Sequence, residues 1–230
     1  MAYYSNVNPD LLAAAPTEAR HVLEVGCGSG AFAAAYKERN PACRYVGVEL
    51  FPEAAAAARG VVDHLEIGSI EDAAVMQALD AARGDTPFDL LIFGDVLEHL
   101  HDPWAVLAAL RARTAPDGVC VACIPNIGHW SIIRQLMAGR WDYADSGLLD
   151  RTHLRFFTVD TAIAMFRTAG WTFSNARSRI LWPDKTEAAL ADFLPLAPKL
   201  GVPADKFRRD LSAFQWIIRA ANKAASPAPA

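Results

Sequence analysis

The apolar positions of this chain form short, nearly continuous runs separated by segments of helical period. Such runs are typical of strands in a parallel sheet that helices cover on both faces. The first five predicted strands are "HVLEVG", "RYVGVEL", "VDHLEIG", "FDLLIFGDV" and "GVCVACIP". The alternation of strand and helix predicts a doubly wound α/β fold.

Capping and breaking residues mark the helices between these runs. Pro52 opens one helix and Gly60 closes it, while Asp102 is the expected N-cap of another that begins at Pro103. The capping-box spacing that begins at Ser69 predicts a helix from that residue.

The C-terminal part departs from this alternation. A helix in "TVDTAIAMFRTAG" is followed by the strands "WTFSNARSRIL" and "AFQWIIRAAN", with short helices between Lys185 and Arg209. The two late strands predict an antiparallel pair at one edge, and thus a mostly parallel, seven-stranded sheet with an antiparallel C-terminal edge strand. The expected organisation begins with an N-terminal cap segment (1–20), a cofactor-binding core (21–126) and a substrate-binding insert after strand five (127–157). The rest of the same domain (158–224) and a disordered tail (225–230) follow.

Composition narrows the class of protein. The 230 residues are 53% hydrophobic with a formal net charge of −4, which argues against a general nucleic-acid binder. We find no apolar run of spanning length and no signal-peptide pattern, so a cytoplasmic protein is expected. Cys120 and Cys123 lie three apart in a strand, on opposite faces, which predicts buried thiols and no metal or redox site.

A glycine-rich loop follows strand one. The pattern E-x-G-x-G-x-G comprises Glu24, Gly26, Gly28 and Gly30, and Glu49 ends strand two. Such glycines let the backbone approach a ligand, and an acid at the end of strand two suits ribose hydroxyls. A dinucleotide site fits this loosely, but a pyrophosphate gains nothing from Glu24, whereas a cationic adenosyl ligand tolerates it.

A second group of polar residues ends strand four. Asp95, Glu98 and His99 lie in "FDLLIFGDVLEHLHDP", again at the carboxyl end of the sheet. Together with "VLEVGCGSG", "VGVEL", "GSIED" and "GVCVACIPN", this segment resembles the class I S-adenosylmethionine-dependent methyltransferases, which have a Rossmann-like fold. The resemblance spans Val22 to Asn126, and the late strand pair extends it to about Asn222.

This resemblance implies a cofactor site for S-adenosyl-L-methionine, with S-adenosyl-L-homocysteine as the product. The implied cofactor-binding residues are Tyr4 (or Tyr3), Glu24, Gly26, Cys27, Gly28, Gly30, Glu49, Leu50, Ser69, Ile70, Asp95 and Val96. Glu49 would bind both ribose hydroxyls and Leu50 would pack on the adenine. Many relatives have an aspartate where Ser69 stands, which shifts more of the adenine binding to the backbone of Ile70.

Two shorter motifs refine the resemblance. "PNIGHW" and "DRTHLRFF" are similar to a bacterial subgroup found near glycan and polysaccharide genes, sometimes fused to glycosyltransferases. "PNIGHW" is also similar to a methyltransferase-like protein of bacterial methionine metabolism. The implied partners are a small-molecule or glycan acceptor, with homodimerisation or association with a glycosyltransferase as further possibilities.

The insert at 127–157 supplies candidate catalytic groups. A hydroxyl nucleophile benefits from a general base, for which His129 and His153 are candidates, the latter beside Asp150. With an ordinary histidine pKa, the rate is expected to fall below about pH 6.5. The alternative role for either histidine is to tie the insert to the sheet.

Positive and aromatic side chains in the insert are candidate substrate-binding groups. These are Trp130, Arg134, Arg151 and Arg155, with Arg140, Trp141 and Tyr143 nearby. Arginines hold phosphate or carboxylate groups well, but they also pair with neighbouring aspartates. The aromatic rings either stack on a sugar or form a small core of the insert.

The sequence favours O-methylation of a sugar or a similar polyhydroxylated metabolite. An N- or carboxyl-methyltransferase of a small metabolite is the first alternative, and it needs neither histidine as a base. A non-catalytic, methyltransferase-like regulatory partner is the second, against which the intact glycines and Glu49 argue.

Overall fold

The computed structural model of this chain describes residues 7–223. The roles predicted for Tyr3 and Tyr4, and the predicted tail at 225–230, lie outside these residues.

The described residues contain one seven-stranded mixed sheet, as the sequence predicts. Its strands are β1 (His21–Val25), β2 (Arg44–Glu49), β3 (His64–Ile67), β4 (Phe88–Gly94), β5 (Thr114–Pro125), β6 (Thr172–Arg179) and β7 (Gln215–Ala221), in the order β3-β2-β1-β4-β5-β7-β6. Strands β1 to β5 are parallel to one another, and β7 runs antiparallel to both β5 and β6. The predicted antiparallel pair at one edge is therefore confirmed, with β6 outermost.

The helices connect the strands and cover the sheet. They are α1 (Pro9–Ala14), α2 (Ala31–Arg39), α3 (Pro52–Ala58), α4 (Ala73–Arg83), α5 (Pro103–Arg111), α6 (Trp130–Met137), α7 (Val159–Thr168), α8 (Pro183–Phe193) and α9 (Ala204–Ser212), with 3-10 turns at Leu97–His99, Leu194–Leu196 and Pro198–Leu200. Asp102 caps α5 as predicted, accepting from the Ala105 N–H at 3.0 Å. None of the helices within residues 7–223 combines the length and apolar character of a bilayer-spanning segment.

Two helix predictions needed correction. The helix expected from Ser69 begins at Ala73, with Asp72 at the N-cap, because the Ser69 hydroxyl accepts the nearby Glu71 N–H at 3.1 Å and closes a local turn. The insert contains α6, which the sequence analysis did not predict.

The sheet separates two large apolar clusters, one on each face. Cys120 belongs to the cluster with Phe88, and Cys123 belongs to the cluster with Tyr36. Both thiols are fully buried and free, so the prediction of buried thiols on opposite faces is confirmed. Burial raises the pKa of each thiol, which keeps both protonated.

Strand β7 lies between β5 and β6 and reaches the carboxyl edge of the sheet. The Asn126 N–H, just after β5, donates to the Phe214 carbonyl at 3.0 Å. The Asn126 side-chain amide donates to the carbonyls of Asp210 and Ala213, both at 2.7 Å. These bonds join the end of β5, the start of the insert and the start of β7.

Candidate functional site

The glycine loop after β1 has a backbone that side chains would strain. Gly26, Gly28 and Gly30 have φ of 73°, 53° and 81°, in the left-handed region that favours glycine. The N–H groups of Gly26 and Cys27 donate to the Val48 carbonyl at 2.8 and 3.0 Å. The loop is thereby held against the end of β2, with α2 starting directly behind it.

Val96, just after β4, supports the first glycine. A Cβ at Gly26 would lie 2.5 Å from the Val96 side chain, so no other residue fits there without displacement. The loops after β1 and β4, both predicted to contact the cofactor, are in direct contact.

Glu49 ends β2 as a buried carboxylate, only 4% exposed. Its two oxygens accept the N–H groups of Gly28 at 2.7 Å and Phe51 at 2.9 Å. Each carboxylate oxygen can accept a second hydrogen bond, which matches the two hydroxyl donors of a ribose. The adjoining Leu50 side chain is 54% exposed, an apolar surface suited to an adenine ring. The donor set therefore fits the predicted adenosyl ligand.

Glu24 is a second buried acid, in the middle of the sheet on β1. Its carboxyl accepts the Tyr45 hydroxyl at 2.8 Å. Burial raises its pKa to about 8, with a further contribution from the charge of Glu49. A cation near this pair would favour the ionised form, so two adjacent acids suit a positively charged ligand.

The loop after β3 is tied to the loop after β4 through Glu71. Its carboxylate accepts the N–H groups of His101 at 3.1 Å and Asp102 at 2.8 Å. Ser69 and the buried Ile70, predicted to edge the adenine, stand at the start of this connection. The sequence analysis did not single out Glu71, since a solvated helix-start acid has the same local pattern.

Asp95, directly after β4, has a φ of 56°, unusual for a residue other than glycine. Its Oδ1 accepts from the Gln215 amide and lies 3.6 Å from the Cys123 Sγ. Burial raises its pKa to about 6. The side chain is thus fixed by β5 and β7 rather than by its own loop.

Glu98 is the most unusual group at this edge. Its side chain is 1% exposed, and neither carboxylate oxygen has a hydrogen-bond partner among the residues that the structure describes. Burial, followed by the charge of Asp95, raises its pKa well above the usual range. The Nε2 atom of His153 lies 4.0 Å from its Oε1. The sequence analysis noted Glu98 but gave it no role.

The insert is attached to the Leu97–His99 turn by its backbone. The N–H groups of Leu154 and Arg155 donate to the Glu98 carbonyl at 2.8 and 2.9 Å. This attachment places the His153 ring edge-on to His99, with centroids 4.8 Å apart. His153 is buried, and burial lowers its pKa, with a further contribution from His99.

Asp150 does not form the predicted pair with His153. Its Oδ1 accepts the N–H and the hydroxyl of Thr152 at 2.8 and 2.6 Å, closing a tight turn. The carboxylate facing the His153 Nε2 is that of Glu98. An aspartate three residues away suggested the pairing, but the turn directs its carboxylate to Thr152.

His129 is the N-cap of α6, and its pKa differs from the ordinary histidine value that the sequence analysis assumed. Its Nδ1 accepts the Ser131 N–H at 3.3 Å, and its buried Nε2 lacks a hydrogen-bond partner within residues 7–223. Burial lowers its pKa to about 4. The expected fall in rate below pH 6.5 therefore cannot arise from this group.

The predicted substrate-binding arginines form contacts within the protein. Arg151 pairs with Asp145 at 2.9 Å and Arg134 with Asp192 at 3.2 Å, while Arg155 donates to the His101 carbonyl. In the same segment, Arg140 pairs with Asp142. A role for these arginines in acceptor binding stays a prediction.

The aromatic rings of the insert also pack on the protein. Trp130 donates its indole N–H to Thr186 at 3.2 Å, with the Arg134 guanidinium over its ring. Trp141 packs edge-on against Phe156 and Tyr143. Trp141 thus packs in a small apolar cluster of the insert, whereas Trp130 packs against residues of α8 and α9, and Tyr143 is exposed. Stacking of these rings on a sugar stays a prediction.

An apolar cavity of about 450 Å³ lies between α6, α8 and α9. Gly128, Ile133, Met137, Phe193 and Phe207 contribute to its walls. Gly128 is the second residue after Asn126, so one wall of the cavity starts near the carboxyl edge of β5.

Comparison with known proteins assigns the family. A family model described as a methyltransferase domain matches residues 3–174. The chain is 26% identical to a ubiquinone biosynthesis O-methyltransferase from Cereibacter sphaeroides, over 80% of this chain and 72% of that protein. It is 31% identical to the protein of that name from Psychrobacter arcticus, over 54% of this chain and 52% of the relative. It is 30% identical to a tRNA 5-carboxymethoxyuridine methyltransferase from Escherichia coli, over 55% of this chain and 48% of that protein. The chain thus matches only about half the length of the last two relatives.

Solved structures agree on the fold. A SAM-dependent methyltransferase from Archaeoglobus fulgidus superimposes with a TM-score of 0.61 at 16% identity, over 89% of this chain and 87% of that one. A putative methyltransferase of Haloferax volcanii, solved in complex with the Trm112 activator, superimposes with a TM-score of 0.61 at 16% identity. The match covers 98% of this chain and 91% of that one. The predicted Rossmann-like methyltransferase fold is confirmed.

Proposed function

This chain belongs to the S-adenosylmethionine-dependent methyltransferases, and on that premise we propose that it methylates a hydroxyl oxygen of an acceptor bound beside Glu98 and His153. The observation that carries the proposal is the buried Glu98 carboxylate, which lacks a partner within residues 7–223 and faces a neutral histidine. An uncompensated buried acid costs stability, so its presence at the edge where α/β sheets bind ligands favours a chemical role.

The cofactor half of the site comprises the glycine loop and the two acids behind it. Glu49 would bind the ribose hydroxyls, Leu50 would pack on the adenine, and Ser69 and Ile70 would border its edge. Gly26, Cys27, Gly28 and Gly30 would surround the methionine part, above Asp95 and Val96, with Glu24 behind the loop. When bound, S-adenosylmethionine supplies an electrophilic methyl group on a positively charged sulfur.

The acceptor half of the site comprises Glu98, His99 and His153, and these groups support methylation of oxygen rather than nitrogen. A neutral amine attacks without help, whereas a hydroxyl gains from a group that takes its proton or polarises it. Glu98, His99 and His153 gather such groups at the end of β4, and backbone bonds from the insert hold them there. The base role predicted for His129 has less support, because its Nδ1 accepts the Ser131 N–H and the neutral ring therefore carries its proton on Nε2.

The acceptor class predicted from sequence, a sugar, gains no support from the relatives named above. The arginines expected to hold a sugar form exposed ion pairs or a backbone contact, and Trp130 and Trp141 pack on other side chains. The apolar cavity beside α6 instead favours an acceptor whose hydroxyl is attached to an apolar body.

The test is methyl transfer from isotope-labelled S-adenosylmethionine to a panel of acceptors. A long-chain catechol, a nucleotide sugar, a carboxylate-bearing nucleoside and an alkylamine represent the competing classes. We expect label on the catechol oxygen, with loss of transfer in Glu98→Gln. Preferred labelling of the amine, unaffected by Glu98→Gln, would contradict the proposal.

A further inference from the structure

Glu98, His99 and His153 bring three ligating side chains to one place. One ligand atom from each lies within 4.8 Å of the other two. Two imidazoles and one carboxylate form a donor set that divalent transition metals prefer. The cluster joins the Leu97–His99 turn to the insert, so the fold assembles it from two separate parts of the chain.

The hydrogen bonds of the two rings leave lone pairs for an ion. The Nδ1 atom of His153 lies 3.3 Å from the Leu148 carbonyl, and the Nδ1 atom of His99 lies 3.2 Å from the Thr152 carbonyl. An imidazole that donates its Nδ1–H to a carbonyl keeps a lone pair on Nε2. Metal-binding histidines characteristically have their second nitrogen oriented in this way.

The Glu98 carboxyl group is a second, independent observation that points to a ligand site at this cluster. It is 1% exposed, and both its oxygens lack partners among the residues described. A buried carboxylate is expensive unless it is paired, hydrogen-bonded or bound to a metal. His99 is half-buried, so the cluster has a side open to solvent.

We propose that Glu98, His99 and His153 bind one divalent transition-metal ion, which holds and polarises the acceptor hydroxyl. This inference rests on the proposed O-methyl transfer for its purpose, though not for the binding itself. Around such an ion, ligand atoms lie about 3–3.5 Å apart, given bonds of about 2.0–2.2 Å. Closing the cluster thus requires side-chain movements of about 1 Å.

Three protein ligands leave coordination positions for the acceptor. A bound hydroxyl loses its proton more readily, because the ion lowers its pKa. The proton would pass to water, and the oxygen would use the electron pair it keeps to form a bond to the methyl carbon. The methyl carbon–sulfur bond would break in the same step, and its electron pair would leave with the sulfur of neutral S-adenosylhomocysteine.

The first experiment measures binding of the metal alone by the full chain. Chelator-treated protein is titrated with Co²⁺ and Zn²⁺, following Co²⁺ absorption and Zn²⁺ competition with a chromogenic chelator. We expect one equivalent to bind, with the affinity reduced at least about 100-fold in both Glu98→Gln and His153→Ala. His101→Ala is the matched control, since it removes an exposed histidine–carboxylate pair two residues from His99 and should bind metal like the wild type.

The outcomes separate the metal site from the proposed function. Stoichiometric binding that survives both ligand substitutions would place the ion elsewhere and overturn this inference, as would failure of the folded protein to bind either ion. Circular dichroism of each variant establishes folding. Calorimetry with S-adenosylmethionine on metal-free protein tests the cofactor site separately. A protein that binds the metal through these residues but methylates only amines would keep the site and refute O-methylation.

Discussion

The buried acids in the two halves of the site, at the carboxyl edge of the sheet, differ in their hydrogen-bond partners. In the cofactor half, Glu49 already accepts two backbone N–H groups and Glu24 accepts the Tyr45 hydroxyl. In the acceptor half, Glu98 lacks any hydrogen-bond partner in the described chain. The buried acids of the cofactor half are therefore held by the protein itself, whereas Glu98 in the acceptor half has hydrogen-bonding capacity that the described residues leave unused. Substitutions in the cofactor half should accordingly lower the affinity for S-adenosylmethionine, and substitutions in the acceptor half should lower the turnover rate.

The largest expected effect belongs to the acceptor half. His153→Ala should lower the turnover rate by at least ~10²-fold, since activation of a hydroxyl typically contributes ~10²–10⁴-fold. Affinity for S-adenosylmethionine, measured by calorimetry, should stay within about twofold of the wild type. His64→Ala, which removes a histidine paired with Glu66 on β3, is the control and should leave turnover unchanged. A large loss of cofactor affinity in His153→Ala would erase the distinction between the halves.

Glu49→Ala should have the next largest effect, now on cofactor affinity. The substitution removes the proposed acceptor of both ribose hydroxyls, a contact expected to contribute roughly 2–3 kcal/mol, or about 30- to 150-fold in Kd. Calorimetric titration measures this directly. Glu53→Ala, a neighbouring exposed acid in α3, should bind like the wild type. Equal affinity of the Glu49 variant and the wild type would remove Glu49 from the site.

Glu24 should make stability depend on pH. Its pKa is about 8 in the fold against an ordinary 4.5, so the folded state keeps a proton that the unfolded chain releases. The stabilisation is complete below pH 4.5 and is lost as the pH rises through about 8, at up to about 1.4 kcal/mol per pH unit. Urea unfolding across this range should show a shallower decline for Glu24→Gln. An identical decline in both proteins would contradict the raised pKa.

The smallest effect tests whether His129 has any role beyond its helix. Loss of the N-cap in His129→Ala should lower the free energy of unfolding by about 1 kcal/mol. His129→Asn retains a capping acceptor and should restore stability. If His129→Asn is stable yet turns over at least ~10²-fold more slowly, His129 acts in catalysis. Normal turnover would limit it to the cap of α6.

Much of the fold follows from local patterns in the sequence. Buried strands appear as apolar runs, and a cap such as Asp102 acts on an N–H three residues away, so both are visible in a short window. The start of α4 was misplaced because Ser69 satisfies a nearby N–H in a turn as readily as in a capping box. Helix α6 was missed because its eight residues are fewer than the about 11–18 over which helical periodicity is distinctive.

The acceptor half was harder to predict because its geometry depends on chain segments distant in sequence. Glu98 and His153 approach only after the insert returns to the Leu97–His99 turn, held by N–H groups of Leu154 and Arg155. Side-chain type gives no sign of that bond, since it involves only the backbone. Asp150, close in sequence, was the more obvious partner of His153, and it faces Thr152 instead. The contact between Gly28 and Glu49 was easier to predict, because β1 and β2 are adjacent parallel strands whose carboxyl ends meet at one edge.

The position of β7 determines when the sheet can be completed during folding. Strand β7 pairs with β5 in a register that joins Val119 to Ala221, and it carries Gln215 to Asp95. Until those late residues have been synthesised and docked, β5 presents an open edge, and β6 has no neighbour in the sheet. Long-range pairing of this kind is slow, and an exposed apolar edge invites association with other chains. A nascent chain would therefore have its glycine loop well before Gln215 reaches Asp95.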